Sequence, residues 1–516
     1  CCHREHGVFH SLIVYVLLRR WEPSLASGAG EQAEFLDTFP LRYVDLGIFG
    51  SAALSLFLEL AIIRWQGTVF EFFAFYKNFS LLSCFAGLGL GYALAGRNGI
   101  PLLLTVPLLG WQFALLIGLR HGLPPALVES LALAPFREQL AMGIAIAGLR
   151  QALAIYFFLS VVFLLTALAF LPIGQLCGRL MERREKLRAY GGNLLGSLFG
   201  VALMLVMSSL WTPPLVWYAL CFAGILLFYQ RKLSSLLLGI GFATAALIAL
   251  AWPVGLTWHK IYSPYQLLEL GYGPRGLLLL RAAGHYYQRV HDLSDGNANV
   301  QTNPELRDIR TYYELPYRVH GRPAEVAVVG AGTGNDVAAA LRAGAERVDA
   351  IELDPAILMA GRLHHPERPY DDPRVRAIVD DARSFLRATG KTYDLIVYGL
   401  LDSHTLLSHA SSVRVDSFVY TAEALREARA RLKQNGIVSL SFSVISPELG
   451  RKIYRMMQEA FDGRPPTCLM GRYDYSVVFL QSNRNNLALP AGFQQTTGLR
   501  DVTPYFAGLQ VRTDNS

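Results

Sequence analysis

Residues 325–354 read EVAVVGAGTGNDVAAALRAGAERVDAIELD. An apolar run ends on Gly330-x-Gly332-x-Gly334, a helix-forming stretch follows, and a second apolar run closes on Glu352-x-Asp354. Strand, glycine turn, helix, strand and acid in that order make a nucleoside-cofactor site. Glycines let the backbone turn sharply and approach a ligand, and an acid at the next strand end can accept two ribose hydroxyls. Gly330, Gly332, Gly334, Glu352 and Asp354 are therefore candidate cofactor-binding residues. The spacing alone leaves dinucleotides and S-adenosylmethionine both open, because enzymes of the two classes share this unit.

Downstream, Asp372-Pro373-Arg374-Val375 leads into a short strand ending at Asp380-Asp381-Ala382, which places Asp381 and Ala382 where an adenine amino group would be held. Tyr393-Asp394-Leu395-Ile396-Val397 reads as a fourth strand. Several further motifs fall in order around these: Ser263-Pro264-Tyr265-Gln266, Gln288, Tyr313-Glu314, and Phe418-x-Tyr420-Thr421-x-Glu423 ahead of a last strand at 436–442. Over about residues 261–445 the chain resembles the spermidine synthase family, the polyamine aminopropyltransferases, which share their fold with S-adenosylmethionine methyltransferases. The resemblance implies S-adenosylmethionine or its decarboxylated form as the cofactor, with Glu352 on the ribose and Asp381 on the adenine. Gln266, Gln288, Tyr313 and Glu314 are the substrate-binding candidates it implies.

The resemblance breaks after the fourth strand. There the family carries an Asp-x-x-Asp-Pro box whose first Asp deprotonates the attacking amine, and the aligned run here is Gly399-Leu400-Leu401-Asp402-Ser403. Gly399 has no group to act as a base, and losing a positioned carboxylate costs about 10²–10⁴-fold in rate. Asp402, with Tyr398 close by, is left as the catalytic candidate. Methyl transfer is then favoured over aminopropyl transfer, because displacement at a sulfonium carbon gains chiefly from alignment. The alternatives are spermidine synthesis, and a transporter or sensor whose module binds a nucleoside or polyamine without turnover.

The chain is 52% hydrophobic and only 17% charged, with the apolar excess before residue 260. Stretches long enough for a hydrocarbon core lie at about 43–63, 79–96, 100–118, 151–172, 191–210, 213–229 and 233–252, and a run at 8–18 is a candidate eighth. The expected architecture is an α-helical transmembrane bundle of about 7–8 spans (43–256, after an N-terminal segment 1–42), then a small β-rich entry segment (261–320). A Rossmann-like, methyltransferase-type α/β domain (321–483) and an irregular tail (484–516) complete it.

Gly192, Gly196 and Gly200, like Gly87 and Gly91, predict close helix packing. Glu59 is expected to pair with Arg64 or meet a polar substrate, and Trp65, Trp111, Trp211 and Trp217 to mark aromatic belts. Loop charge puts Arg179, Arg183, Arg184, Lys186 and Arg188 in the cytoplasm together with Arg231-Lys232, so one further crossing would place the C-terminal domain outside. A cytosolic cofactor favours a cytoplasmic domain, and a re-entrant 233–252 reconciles the two. The sequence thus predicts a multi-pass protein of a plasma or inner membrane, in contact with the lipid bilayer and a polyamine or lipophilic acceptor; a homo-oligomer is compatible. Six cysteines without paired spacing beyond Cys1-Cys2, and histidines without metal spacing, imply neither a disulfide framework nor a metal site. The net charge of +7 suits anionic headgroups, and no nucleic-acid motif is present.

Overall fold

The computed structural model describes residues 27–69, 73, 77–122, 149–229, 232–252, 258–273, 276–282, 285–400, 419–444, 447–473, 476–484, 487, 489 and 492–508. The apolar run at 8–18, Asp402, His404, His409 and Phe418 lie outside them. The chain divides into a helical unit ending at Leu256 and an α/β unit beginning at Thr257.

In the helical unit the apolar segments form helices at Leu41–Val69, Lys77–Ala93, Thr105–Gly122, Leu149–Glu182, Lys186–Ser209, Pro214–Leu227 and Leu233–Leu250. Five stretches are long and apolar enough to cross a membrane: Leu41–Val69, Leu102–Arg120, Tyr156–Glu182, Lys186–Ser209 and Leu233–Leu250. The helices at Asn78–Ala93 and Pro214–Leu227 are shorter. At 1.5 Å per residue they reach only about 21–24 Å against a core of about 30 Å. The described residues therefore support five of the seven or eight spans expected. Leu233–Leu250 is one uninterrupted helix of 18 residues, by length and composition able to cross a membrane.

Glycine sets the helix contacts. A Cβ on Gly196 would stand 2.2 Å from the Phe49 carbonyl oxygen, and one on Gly87 2.2 Å from that of Ala167, so these helices touch backbone to backbone. Two of the expected belt tryptophans are core residues instead. Trp65 is buried edge-on against Phe113 at 4.7 Å, and Trp217 is buried beside it in the same cluster, because the bundle centre takes up the largest side chains. Arg64 donates to Ser208 Oγ and lies 4.9 Å over the Trp217 ring, while Glu59 is buried with Oε2 unbonded among the described residues. Arg179 pairs with Asp37 at 2.5 Å and Lys232 with Glu31 at 3.0 Å. Asp37 and Glu31 share the short helix 27–37, so both basic loops lie at one end of the bundle, as loop charge predicts.

The α/β unit opens with an antiparallel sheet, β1 (His259–Tyr262), β2 (Leu267–Tyr272), β3 (Leu278–Ala282) and β4 (His285–Val290). Past β4 the entry segment turns helical, at Ala298–Thr302 and Pro304–His320, which corrects the expectation of β structure up to 320. Asn297 and Asn303 cap these helices, and Pro304 supplies a preset first turn.

The main sheet has the order β12-β10-β11-β9-β8-β5-β6-β7. β5 (Glu325–Val329), β6 (Arg347–Glu352), β7 (Val375–Val379), β8 (Tyr393–Tyr398) and β9 (Leu432–Ser443) run parallel. β10 (Thr467–Met470), β11 (Ser476–Ser482) and β12 (Arg500–Asp501) pair antiparallel. Val326, Val328, Leu395 and Val397 pack on one face, and Ala327, Val329, Ile396 and Tyr398 on the other, the period-two signature of a sheet covered on both sides. The tail is not irregular over its described residues 492–508. β12 pairs with β10, and Phe506 is buried against Gly450. After β7 the chain crosses back past β5 to lay down β8, so a crevice opens at the carboxyl ends of β5 and β8.

Gly196→Leu should overpack the helix contact by about 1–3 kcal/mol. The detergent-extracted protein should melt several degrees lower, while Gly191→Ala, whose Cβ would meet nothing within 4 Å, leaves the transition in place. Equal melting of both variants would refute the close backbone approach.

Candidate functional site

β5 hands the chain to a turn in which Gly330, Gly332 and Gly334 have φ of +67°, +57° and +109°. At Gly332 two demands coincide, since a Cβ would also lie 2.8 Å from the Gln288 amide. The turn is braced on three sides. The Gly332 N–H donates to Glu352 Oε2 at 2.8 Å, and the Asp354 N–H to Glu352 Oε1 at 3.0 Å. Thr333 donates through its N–H (3.0 Å) and its hydroxyl (2.9 Å) to Gln288 Oε1 on β4. The Tyr370 hydroxyl donates to the Gly332 carbonyl at 2.7 Å.

Asp354 caps the helix Pro355–His364 by accepting the Ala356 N–H at 3.0 Å, and accepts the Ser263 hydroxyl at 2.6 Å. Ser263 Oγ in turn accepts the N–H groups of Tyr265 (3.1 Å) and Gln266 (3.0 Å), which ties Gln266 to the end of β6. Asp381 caps the helix Ala382–Ala388 by taking the Ser384 N–H at 2.8 Å, with Ala382 buried at its first position. A carboxylate offers about four acceptor positions, so capping or bracing leaves room for a ligand hydrogen bond.

The mouth of this crevice is acidic. Burial pushes the Glu352 carboxyl up to about 7 against the backbone N–H bonds that hold it down. The half-exposed Tyr265 hydroxyl is raised by burial and then by the charges of Asp354, Asp381, Asp380 and Glu352, so the four carboxyls lie within electrostatic reach of it. Such a field attracts a sulfonium or an ammonium group and repels a pyrophosphate. Among the described residues no group of His, Cys, Asp and Glu is arranged to hold a metal ion.

Two expected site residues are not brought to the turn. Tyr398 is buried on the far face of the sheet, in a cluster with Val329 and Phe385. The alternation of β8 sends its ring away from the crevice and leaves Gly399 at the edge, its N–H 3.2 Å from the Val329 carbonyl. The Glu314 carboxylate is held by Arg310 (2.6 Å), Arg318 (3.0 Å) and Arg342 (3.3 Å), a scaffold of helix ion pairs in place of a substrate contact. Tyr313 is buried in an aromatic group with Tyr312 and Tyr473 and meets Asn335 Nδ2 at 3.1 Å. Sequence reasoning missed Asn335 and Asp336, both buried at the start of the helix Asn335–Arg342. The signal available was a polar pair directly ahead of Val337-Ala338-Ala339-Ala340.

Residues 309–473 match the family described as "Spermine/spermidine synthase domain". They belong to the spermidine synthase-like superfamily. The polyamine aminopropyltransferase of Korarchaeum cryptofilum (strain OPF8) is 27% identical over 144 residues, covering 27% of this chain and 42% of that protein. That of Serratia proteamaculans (strain 568) is 28% identical over 150 residues, covering 27% of this chain and 50% of that protein. The chain thus spans about half the length, or less, of these curated relatives. The crystal structure of spermidine synthase from Thermotoga maritima overlaps 45% of this chain and 84% of its own, at 16% identity and a TM-score of 0.33. The spermidine synthase-like match begins inside the helix Pro304–His320 and ends just before β11, so it encloses the glycine turn, Glu352 and Asp381 and leaves the helical unit out.

Burial raises the carboxyls of Glu352 and Asp336 to about 7 each. Groups raised in this way favour the folded state while protonated. Their contribution is complete below the usual carboxylate range near 4 and is lost as pH rises through about 7. The unliganded protein should therefore melt lower at pH 8 than at pH 5.5. Glu352→Gln should shrink that difference and, by turning an amide NH₂ onto a backbone N–H, weaken methylthioadenosine binding about tenfold or more in calorimetry. An unshifted affinity would move the nucleoside site elsewhere.

Proposed function

We propose that the α/β unit transfers an aminopropyl group from decarboxylated S-adenosylmethionine to a polyamine, in a protein held in a membrane by its helical unit. The observation that carries this reading is that the spermine/spermidine synthase match falls on the residues that build the acidic crevice. The named relatives are polyamine aminopropyltransferases, which favours aminopropyl over the methyl transfer expected from the lost Asp at 399. Donor and acceptor are then both cations, the charge type that the mouth attracts. In this reading Glu352 takes the ribose hydroxyls, Asp381 and Ala382 hold the adenine, and the turn at Gly330–Gly334 cradles the tail. Gln266 and Gln288 border the reacting end. Asp402 remains a candidate for holding the acceptor's distal ammonium.

In the reaction the amine nitrogen attacks a carbon bonded to the sulfonium sulfur, and methylthioadenosine leaves. Incubating the detergent-purified protein with putrescine and decarboxylated S-adenosylmethionine should give spermidine and methylthioadenosine in equal amounts by mass spectrometry. Methylated product from S-adenosylmethionine, with no spermidine from its decarboxylated form, would overturn the assignment.

The donor is a cytosolic metabolite, so the reading requires the α/β unit to face the cytoplasm. With Leu233–Leu250 as a full crossing, the basic loops then face the opposite side, against the usual loop-charge bias. A reporter fused after Ser516 should read cytoplasmic and one between Arg231 and Ser234 the other face. An outward Ser516 would remove the cytosolic donor from consideration.

A further inference from the structure

Attack on a sulfonium carbon requires a neutral amine with a free lone pair, and polyamine nitrogens are protonated near neutral pH, so a proton must first be removed. Among the described residues that end β8, Gly399 has no side chain for this task. A carboxylate comes close to it from the helix that follows the neighbouring strand β5. The point where a Cβ of Gly399 would stand is 3.1 Å from Asp336 Oδ2 and 3.2 Å from the Gly330 carbonyl oxygen. The Gly399 N–H bonds the Val329 carbonyl at 3.2 Å, so Asp336, Gly330 and Gly399 meet where the carboxyl ends of β5 and β8 form the crevice.

Asp336 is only 8% exposed and forms no salt bridge among the described residues. Its carboxylate is supported by its own backbone N–H, within the first turn of the helix Asn335–Arg342. The Tyr317 and Tyr370 hydroxyls lie close enough to feel its charge, which adds to the effect of burial in raising both. A first-turn acid that served only the helix dipole would gain as much at the surface, whereas burying an unpaired carboxylate is costly. Asp336 carries that cost beside a residue with no side chain. Its carboxyl, raised to about 7, exchanges a proton near neutral pH.

We propose that Asp336 is the general base of the transfer, acting from the helix after β5 at the place where Gly399 carries no side chain. The inference rests on the aminopropyl reading above. Asp336 Oδ2 takes a proton from the ammonium, and the nitrogen lone pair so freed bonds to the carbon. The carbon–sulfur electron pair returns to sulfur, methylthioadenosine leaves as a neutral thioether, and the proton is later released to solvent.

Asp336→Asn keeps shape and removes the base. Its kcat with putrescine should fall about 100-fold, while the KM for putrescine and the affinity for methylthioadenosine stay within about twofold of wild type. The double variant Asp336→Asn/Gly399→Asp returns a carboxylate to the same space from β8 and should recover about tenfold or more of the loss. A kcat for Asp336→Asn within about threefold of wild type overturns the proposal. So does a loss of methylthioadenosine affinity that matches the loss of rate, which marks a structural role, or a folded double variant that recovers nothing. If the double variant does not fold, Asp336→Glu decides: activity well above that of Asp336→Asn supports a carboxylate base, and equal activity overturns it. A wild-type protein that makes no spermidine overturns the aminopropyl reading and this base together, whereas an active wild type with an unimpaired Asp336→Asn overturns the base alone.

Discussion

The site depends on one buried carboxylate that joins two strand ends. Glu352 accepts the Gly332 N–H from the turn after β5 and the Asp354 N–H from the chain leaving β6. Hydrogen bonds to a charged acceptor contribute about 1.5–3 kcal/mol each, and low local polarity makes leaving one unmade correspondingly costly. Both backbones are therefore held to a single geometry. Because Gly332 sits at φ +57° against the Gln288 amide, the turn cannot reach Glu352 with any larger residue there. The backbone conformation and the acid thus require each other.

The antiparallel sheet at the front of the α/β unit completes this arrangement. Gln288 on β4 accepts both donors of Thr333, and Ser263 after β1 bonds Asp354. The two sheets are coupled through the residues that would surround a ligand. A movement of the entry sheet would consequently open the glycine turn and loosen the end of β6 together. Asn335 adds a further tie, accepting the His291 N–H at 3.2 Å and donating to the Arg289 carbonyl at 2.7 Å.

Charge explains why such a crevice suits a cation. Five carboxylates, those of Asp336, Glu352, Asp354, Asp380 and Asp381, stand at the ends of β5, β6 and β7, and two of them are buried deeply enough to hold a proton near neutral pH. A bound sulfonium would offset their repulsion and pull those protons off. The helical unit solves a different problem. There the amides of Gln66 and Gln112 both donate to Thr166 Oγ1, at 3.3 and 2.8 Å, and so join three helices inside an apolar interior.

Much of this was legible along the chain, because local patterns report local constraints. The glycine turn, the acids at the ends of β6 and β7 and the small-residue helix contacts each follow from residue type at short spacing, and the structure places them accordingly. The spread of the apolar segments was equally plain, though their lengths as helices left five of them able to cross a membrane. Which way a side chain points was not legible. Tyr398 and Gly399 are adjacent, yet strand alternation buries one in the far core and sets the other at the crevice. Glu314 reads as a site acid until the fold brings Arg342 to it from another helix. Asp336, some sixty residues from Gly399 in sequence, meets it only because β8 is laid down next to β5. The sequence by itself determined the strand–glycine turn–helix unit and the apolar helices; only the tertiary structure decided which carboxylate lies beside Gly399, because parallel pairing of β5 with β8 joins strand ends that no local spacing relates.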